Sequence, residues 1–468
     1  MATRLAHVSH KSGPAVAIVG AGFSGTLLAL HLLRAGPPEL QVILLERDGG
    51  FGRGLAYGTR NPRHLLNVRV GNMSAWPDDP GHLARWLSAN SESVRTSAFI
   101  GRGDYGAYLA AQLRRAVRGP DGAGRLLLEA DEVTAVKRAG RRTRLTLAMG
   151  RTIEADAVVL AVGNLPPPPP AGLAALPPAL YAADPWGADA FENLADDAPV
   201  LLLGSGLTMV DAAIELDARG HVGPILALSR RGLVPRRHGD APPDPARTRP
   251  ATAGPLSARL AEVRRRARET DWRTAVDEQR PHIQAIWRAA SEAERRRFLR
   301  HLRPWWDVHR HRMAPAIAEW FDRRRADGRL TVAAGRLIGA TPDGDVVHII
   351  WRPRGSIADQ TWRGARIVNC SGVGADLART RHPLLRGLID GGFARLDPLA
   401  LGLEIDGEGR VVDAAGRPDP ALYAVGPITR GALWEITAVP DIRGQVAELA
   451  ATLVARFGGS QAFVIPLG

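Results

Sequence analysis

The chain has 468 residues, a formal net charge of +13 at pH 7 and 45% hydrophobic residues. That is enough for two or three globular domains with substantial cores. The single cysteine, Cys370, excludes an internal disulfide and an intrachain redox dithiol, and suits a reducing, cytoplasmic compartment.

Residues 1–14 read as a loose leader, followed by a short buried strand, Ala15–Val19. The apolar character from Ala15 to Leu33 imitates a signal peptide, but three turn glycines and a second apolar run soon after argue for strand, turn and helix. The helix is expected over 24–35, closed by Gly36-Pro37-Pro38, and the next strand over 41–46. This is a βαβ unit, whose parallel strands must be covered on both faces. A helix is expected over 104–118, antiparallel strands within 126–147, and a buried strand over 157–162 that ends at Gly163-Asn164. The proline run 166–170 is a stiff connector.

A second βαβ unit starts at Val200, with its helix over 208–218 and its next strand over 225–228. Residues 241–254, rich in Pro, Asp and Thr, read as a linker. From 256 to 325 the chain is arginine-rich, with apolar residues such as Leu260, Val263 and Ala267 at helical spacing. Strands are expected at 330–333, 346–351, 367–370 and 422–425, and a last helix over 442–457. The fold expected is α/β, with two Rossmann-like dinucleotide-binding domains and a helical insert. The first of these domains takes 14–170 and 367–468, the second takes 197–254 and 331–366, and the insert takes 255–330. No stretch reads as a membrane helix.

The two glycine turns carry the chemistry. In Gly20-Ala21-Gly22-Phe23-Ser24-Gly25, Gly20 permits the bend, Gly22 lets a pyrophosphate approach, and Gly25 allows close helix–strand packing. Glu46, about 20 residues on, is placed to accept from an adenosine ribose, and Arg47 follows it. The second turn, Gly204-Ser205-Gly206, leads into Leu207, Thr208 and Met209, which stands where a third glycine would be. Its next strand ends in Ser229-Arg230-Arg231 rather than in an acid. Arginines suit a ribose phosphate and a carboxylate would repel one, so the first turn points to FAD and the second to NADPH. Gly163 and Gly372 each end a buried strand and allow the chain to cross close to a cofactor. Leu422-Tyr423-Ala424-Val425-Gly426 is like a late flavin motif, with Pro427 where an aspartate usually follows. Cys370 itself reads as a buried core thiol.

Further motifs make the chain similar to the FAD-NAD(P)-binding protein family, relatives of class B flavin monooxygenases and amino-acid N-hydroxylases. They are Gly54-Leu55-Ala56-Tyr57-Gly58-Thr59, His64-Leu65-Leu66-Asn67-Val68 with Met73-Ser74, and the run from Gly204 to Asp211. Trp306-Asp307-Val308-His309-Arg310-His311-Arg312 and Gly431-Ala432-Leu433-Trp434-Glu435 with Ile442-Arg443 complete them. The resemblance implies that residues 52–58, Gly54 among them, and 64–74, including Met73, line the flavin. It brings His64 and Asn67 to the ring or the substrate, or leaves His64 a structural hydrogen bond. Trp434, Glu435 and Arg443 would sit near the ring or pyrophosphate.

The cluster Trp305, Trp306, His309, Arg310 and Arg312 is open to three readings: a pocket for a carboxylate-bearing substrate, a contact with the nicotinamide cofactor, or a solvated helix with tryptophans packed inward. The histidines there do not make a metal site. The resemblance implies an FAD-dependent, NADPH-oxidising monooxygenase. It would use molecular oxygen through a C4a-hydroperoxyflavin on an amine or amino-acid-like small molecule. The catalytic candidates are Asn67, His64, Arg310 and Glu435. A flavin dehydrogenase with a non-oxygen acceptor is the alternative. The positive charge has a bland source in arginine-rich coding bias. A flavin-bearing nucleic-acid binder is the remaining reading, although no recognised nucleic-acid module is present.

Overall fold

The computed structural model describes residues 13–458 except 91–93, 121, 168, 171, 188, 241–253 and 373–376. Nearly all of the expected leader and of the expected linker at 241–254 lies outside the described residues. The chain divides into two compact units: Met1–Thr59, Val68–Leu165 and Ala375–Gly468 form the first, and Arg60–Asn67 and Pro166–Gly374 the second.

The first unit is built on a six-stranded sheet. Its order is Arg410–Val412, Pro418–Ala424, Ala157–Leu160, Ala15–Val19, Gln41–Leu45 and Leu126–Glu129. All neighbours are parallel except the first pair. Ala15–Val19 and Gln41–Leu45 are buried at every position, as strands covered on both faces must be. Helices Phe23–Ala35 and Val439–Arg456 pack together. The other face is covered by the antiparallel strands Val133–Ala139, Arg142–Leu147 and Thr152–Ala155 and by helix Pro383–Asp390. Leu126–Glu129 departs from the expected antiparallel segment. Its register with Gln41–Leu45, Val42 opposite Leu126, makes it the parallel edge of the main sheet.

The second unit carries a seven-stranded sheet. Its order is Gln360–Gly364, Val346–Pro353, Leu330–Asp343, Ile225–Ser229, Val200–Leu203, Arg366–Asn369 and Tyr181–Ala182. Two segments fall elsewhere than the sequence suggests. The strand Arg366–Asn369, expected in the FAD domain, pairs in parallel with Val200–Leu203. The buried Arg366 pins that strand by donating to Ala190 O at 2.8 Å and Glu192 O at 3.0 Å. Residues 60–67, also expected in the FAD domain, belong to the second unit as well.

The insert is helical, from Leu256–Glu269 through Arg303–Arg310. A buried Arg266–Glu278 pair at 2.6 Å and a Ser291–Glu294 capping box hold it. Pro315–Ala326 is not part of it in packing. Its Ala318, Trp320 and Phe321 enter the core of the second unit, as a crossover helix before a parallel strand should.

His31, on helix Phe23–Ala35, is 2% exposed and lies 5.1 Å from the Trp76 ring. Burial holds its pKa down, from 6.5 to about 4. Between those values the unfolded chain binds the proton and the folded chain does not, so stability falls on acidification through that window. The denaturation free energy is expected to drop by about 3 kcal/mol from pH 6.5 to 4 on account of this group. His31→Leu should remove that part of the slope. A variant that loses stability as steeply as the parent would assign the slope to other groups.

Candidate dinucleotide-binding sites

In the first unit, Gly20 takes φ +103° and donates its N–H to Leu45 O at 2.9 Å. The helix Phe23–Ala35 begins immediately after Gly22. A Cβ on Gly25 would stand 1.9 Å from Gly20 O, so that position is closed to any side chain by packing alone. A Cβ on Gly22 would meet nothing nearer than Gly54 Cα at 3.7 Å. Gly22 is therefore spared for something other than the fold, which is what a pyrophosphate needs. Glu46 accepts from the Ala21 N–H at 2.8 Å through Oε2, so the acid is anchored to the turn it serves. Phe23 and Ser24 are buried at the start of the helix. Arg47 is exposed and pairs with Asp48 at 3.2 Å.

Gly54 lies against the same turn, since its Cβ would stand 2.8 Å from Gly22 Cα. Met73 is buried, and Gly163 takes φ +71° after its strand. The late motif also converges here. Gly426 has φ +79°, and a Cβ on it would lie 2.5 Å from Ser24 Oγ. The turn after this strand is braced by side chains. Gln445 accepts from Gly426 N–H at 2.8 Å and donates to Thr429 Oγ1 at 3.0 Å, and Thr429 donates to Gly426 O at 2.8 Å. Sequence reasoning missed Thr429 and Gln445, because neither belongs to a spaced motif. Trp434 and Glu435 are buried, and Glu435 holds φ +63°, a conformation costing a non-glycine residue about 1–3 kcal/mol and found most often at functional sites. Arg443 donates to Ser74 O at 2.9 Å.

In the second unit, Gly204 takes φ +127°, and a Cβ there would lie 2.2 Å from Cys370 O. Gly206 has open space around its missing Cβ and caps helix Leu207–Ala218, with Leu207 and Thr208 in its first turn. Gly372 is likewise open, at φ +92°. The Ser205 hydroxyl donates to Leu233 O at 2.5 Å and lies 2.7 Å from Ser229 Oγ, which accepts from Gly232 N–H at 3.0 Å. Leu233 O can only accept, so Ser229 must donate to Ser205. Its proton is spent joining two turns rather than kept for a phosphate. Arg230 is exposed. Arg231 is half-buried, its Nη2 3.5 Å from Arg300 O. Neither makes an ion pair among the described residues, so both charges remain for a ligand. Burial pushes the Cys370 thiol well above its ordinary value, so it is no thiolate.

The segment 60–67 is laid along helix Leu207–Ala218. Asn61 donates to Glu215 at 2.8 Å, Arg63 pairs with Asp217 at 2.7 Å, and the buried His64 lies 3.0 Å from Asp211 O. His238 lies 3.0 Å from Asn67 O. This gives His64 and the Asn67 backbone structural partners. In the insert, Arg312 is 2% exposed and forked onto Asp277 at 3.0 and 3.1 Å, so a protein carboxylate fills the seat offered to a substrate carboxylate. Arg310 is buried beside it, and Trp305 is 45% exposed. No cluster that could hold a metal ion occurs among the described residues, and no described helix is long and apolar enough to cross a membrane.

The comparisons with known proteins agree with this architecture. Residues 17–165 match the family model described as FAD-NAD(P)-binding. An FAD-binding monooxygenase, ausB of Emericella nidulans, is 32% identical over 83 residues, covering 18% of this chain and 11% of the relative, so the chain matches only a small part of that relative's length. The reduced form of ornithine hydroxylase PvdA from Pseudomonas aeruginosa superposes with a TM-score of 0.65 at 16% identity, covering 95% of this chain and 99% of that one. L-lysine 6-monooxygenase from Pseudomonas syringae gives 0.64 at 20% identity, with 95% and 99% covered. The chain has the fold of these two-dinucleotide flavoenzymes.

The two inner glycines of the first turn separate packing from binding. Gly25→Ala is expected to cost about 1–3 kcal/mol of stability by overpacking. Gly22→Ala should leave the melting temperature of the flavin-free protein unchanged and lower FAD affinity at least tenfold. Thermal melts and FAD titrations check both. Equal melting losses in the two variants would remove the distinction.

Proposed function

We propose that the chain is an FAD-dependent, NADPH-oxidising monooxygenase that hydroxylates the amine nitrogen of a small, amino-acid-like molecule. The observation that carries this reading is the contrast between the turns: an acid, Glu46, anchored at the first, and two arginines, Arg230 and Arg231, after the second that make no ion pair among the described residues. The flavin, when bound, supplies the hydride acceptance and oxygen activation that side chains lack. The chain supplies the rest. The turn from Gly20 to Gly25 presents backbone N–H groups and the helix amino end to the pyrophosphate. Glu46 takes the adenosine ribose. Arg230 and Arg231 take the ribose phosphate of NADPH, whose oxygens their planar guanidinium forks match. With a buried, protonated Cys370 as the lone thiol, no dithiol relays electrons. The substrate class is carried from the ornithine and lysine hydroxylases, whose fold the chain shares.

Two measurements test the reading. The double variant Arg230→Ala/Arg231→Ala is expected to raise the KM for NADPH about 10- to 100-fold while changing that for NADH little, the worth of one or two charged hydrogen bonds. NADPH oxidation, oxygen uptake and hydroxylated product are then followed over a panel of amino acids and diamines. One substrate should couple all three. Oxidation of NADPH at one rate across the panel, without oxygenated product, would replace the monooxygenase with a flavin reductase.

A further inference from the structure

Tyr105 lies on helix Arg102–Arg118 in the first unit and has no exposed surface. Its ring packs 4.8 Å from Tyr57, 5.7 Å from Tyr108 and 6.2 Å from Phe23. Phe23 opens the helix that leaves the first glycine turn, and Tyr57 closes the short helix Gly54–Tyr57. Tyr108 is satisfied: its hydroxyl accepts from Ala75 N–H at 3.2 Å and lies 2.8 Å from His82 Nδ1. The Tyr105 hydroxyl has no hydrogen-bond partner among the described residues. Burial keeps this phenol protonated far above its ordinary range, so it is a donor without an acceptor. A buried orphan of this kind is a standing cost to the fold, and one that a ligand oxygen would remove.

A second group in the same neighbourhood has the matching need. Arg443, in the first turns of helix Val439–Arg456, spends one nitrogen on Ser74 O and makes no carboxylate ion pair among the described residues. Ser74 adjoins Ala75, whose N–H reaches Tyr108. Tyr105, Tyr108 and the Asp441 carboxylate all lie within electrostatic reach of Arg443, and burial nevertheless lowers its pKa, the mark of a guanidinium stripped of water. A dry hydroxyl donor and a desolvated guanidinium with no carboxylate ion pair among the described residues both call for oxygen bearing negative charge. In a dinucleotide flavin that is the pyrophosphate, which the neighbouring glycine turn and helix amino end already favour.

We propose that Tyr105 and Arg443 are a built anion subsite, in which the phenol and the guanidinium hold the oxygens of the FAD pyrophosphate. This rests on the reading of the first unit as the flavin site. The test uses flavin-free protein, as wild type, Tyr105→Phe and Arg443→Gln, titrated with FAD by fluorescence and melted with and without millimolar inorganic pyrophosphate. Tyr105→Phe removes only the orphan oxygen. It should raise the melting temperature of the flavin-free protein while weakening FAD binding about tenfold or more. Arg443→Gln should weaken FAD at least as much, with partial rescue by Arg443→Lys, and both variants should lose any stabilisation by pyrophosphate. FAD affinities within twofold of wild type in both variants overturn the subsite and leave the flavin reading standing. So does weaker FAD binding with the pyrophosphate stabilisation retained in full. Wild-type protein that takes up no FAD overturns both.

Discussion

Both nucleotide cradles depend on one steric constraint: a buried parallel strand must turn into a helix with no side chain in the way. At Gly20 the backbone bends at φ +103° against Ala161, and at Gly204 it bends at φ +127° against Cys370. In each case the obstacle is the next strand's own backbone, which cannot move aside without breaking the sheet. The helix that follows then aims its free N–H groups at the space above the strand ends. The same close approach that forbids a Cβ brings the helix amino end up against the strand end.

What distinguishes the two turns is the charge beside them. Glu46 is fixed by the Ala21 N–H, so an acid is held at the first turn before any ligand arrives. In the second, Ser205 and Ser229 brace the turn, and the two arginines beyond it make no ion pair among the described residues. A phosphate brought there exchanges water for guanidinium forks at little reorganisation cost. The arginine-rich composition is therefore of mixed meaning. Arg266 and Arg312 are consumed by Glu278 and Asp277 inside the insert, while Arg230, Arg231 and Arg443 form no ion pair among the described residues.

The short segment 60–67 shows how a chain can serve one unit while numbered within another. Its polar side chains find partners on helix Leu207–Ala218, and every contact there meets a hydrogen-bonding need: Asn61 with Glu215, Arg63 with Asp217, His64 with the Asp211 carbonyl. Histidine and asparagine in one short run invite a catalytic reading. The geometry supplies a structural one for His64, and leaves the Asn67 side chain for experiment.

The sequence by itself determined the two βαβ units, the positions of Glu46 and the Arg230–Arg231 pair, and the helical nature of the insert. Those are local matters: a strand end, a glycine and a helix start lie within a few residues of one another, and hydrophobic period reports each. Only the tertiary structure decided where Arg366–Asn369 and residues 60–67 belong. A four-residue buried strand reads the same whichever sheet it joins, and the choice is made by register and by Arg366 reaching carbonyls more than 170 residues away. Likewise no spacing rule points to Gln445 holding Gly426, or to an orphaned hydroxyl on Tyr105. Hydrogen-bond satisfaction is a property of neighbours in space, and a chain met as a string does not say who those neighbours are.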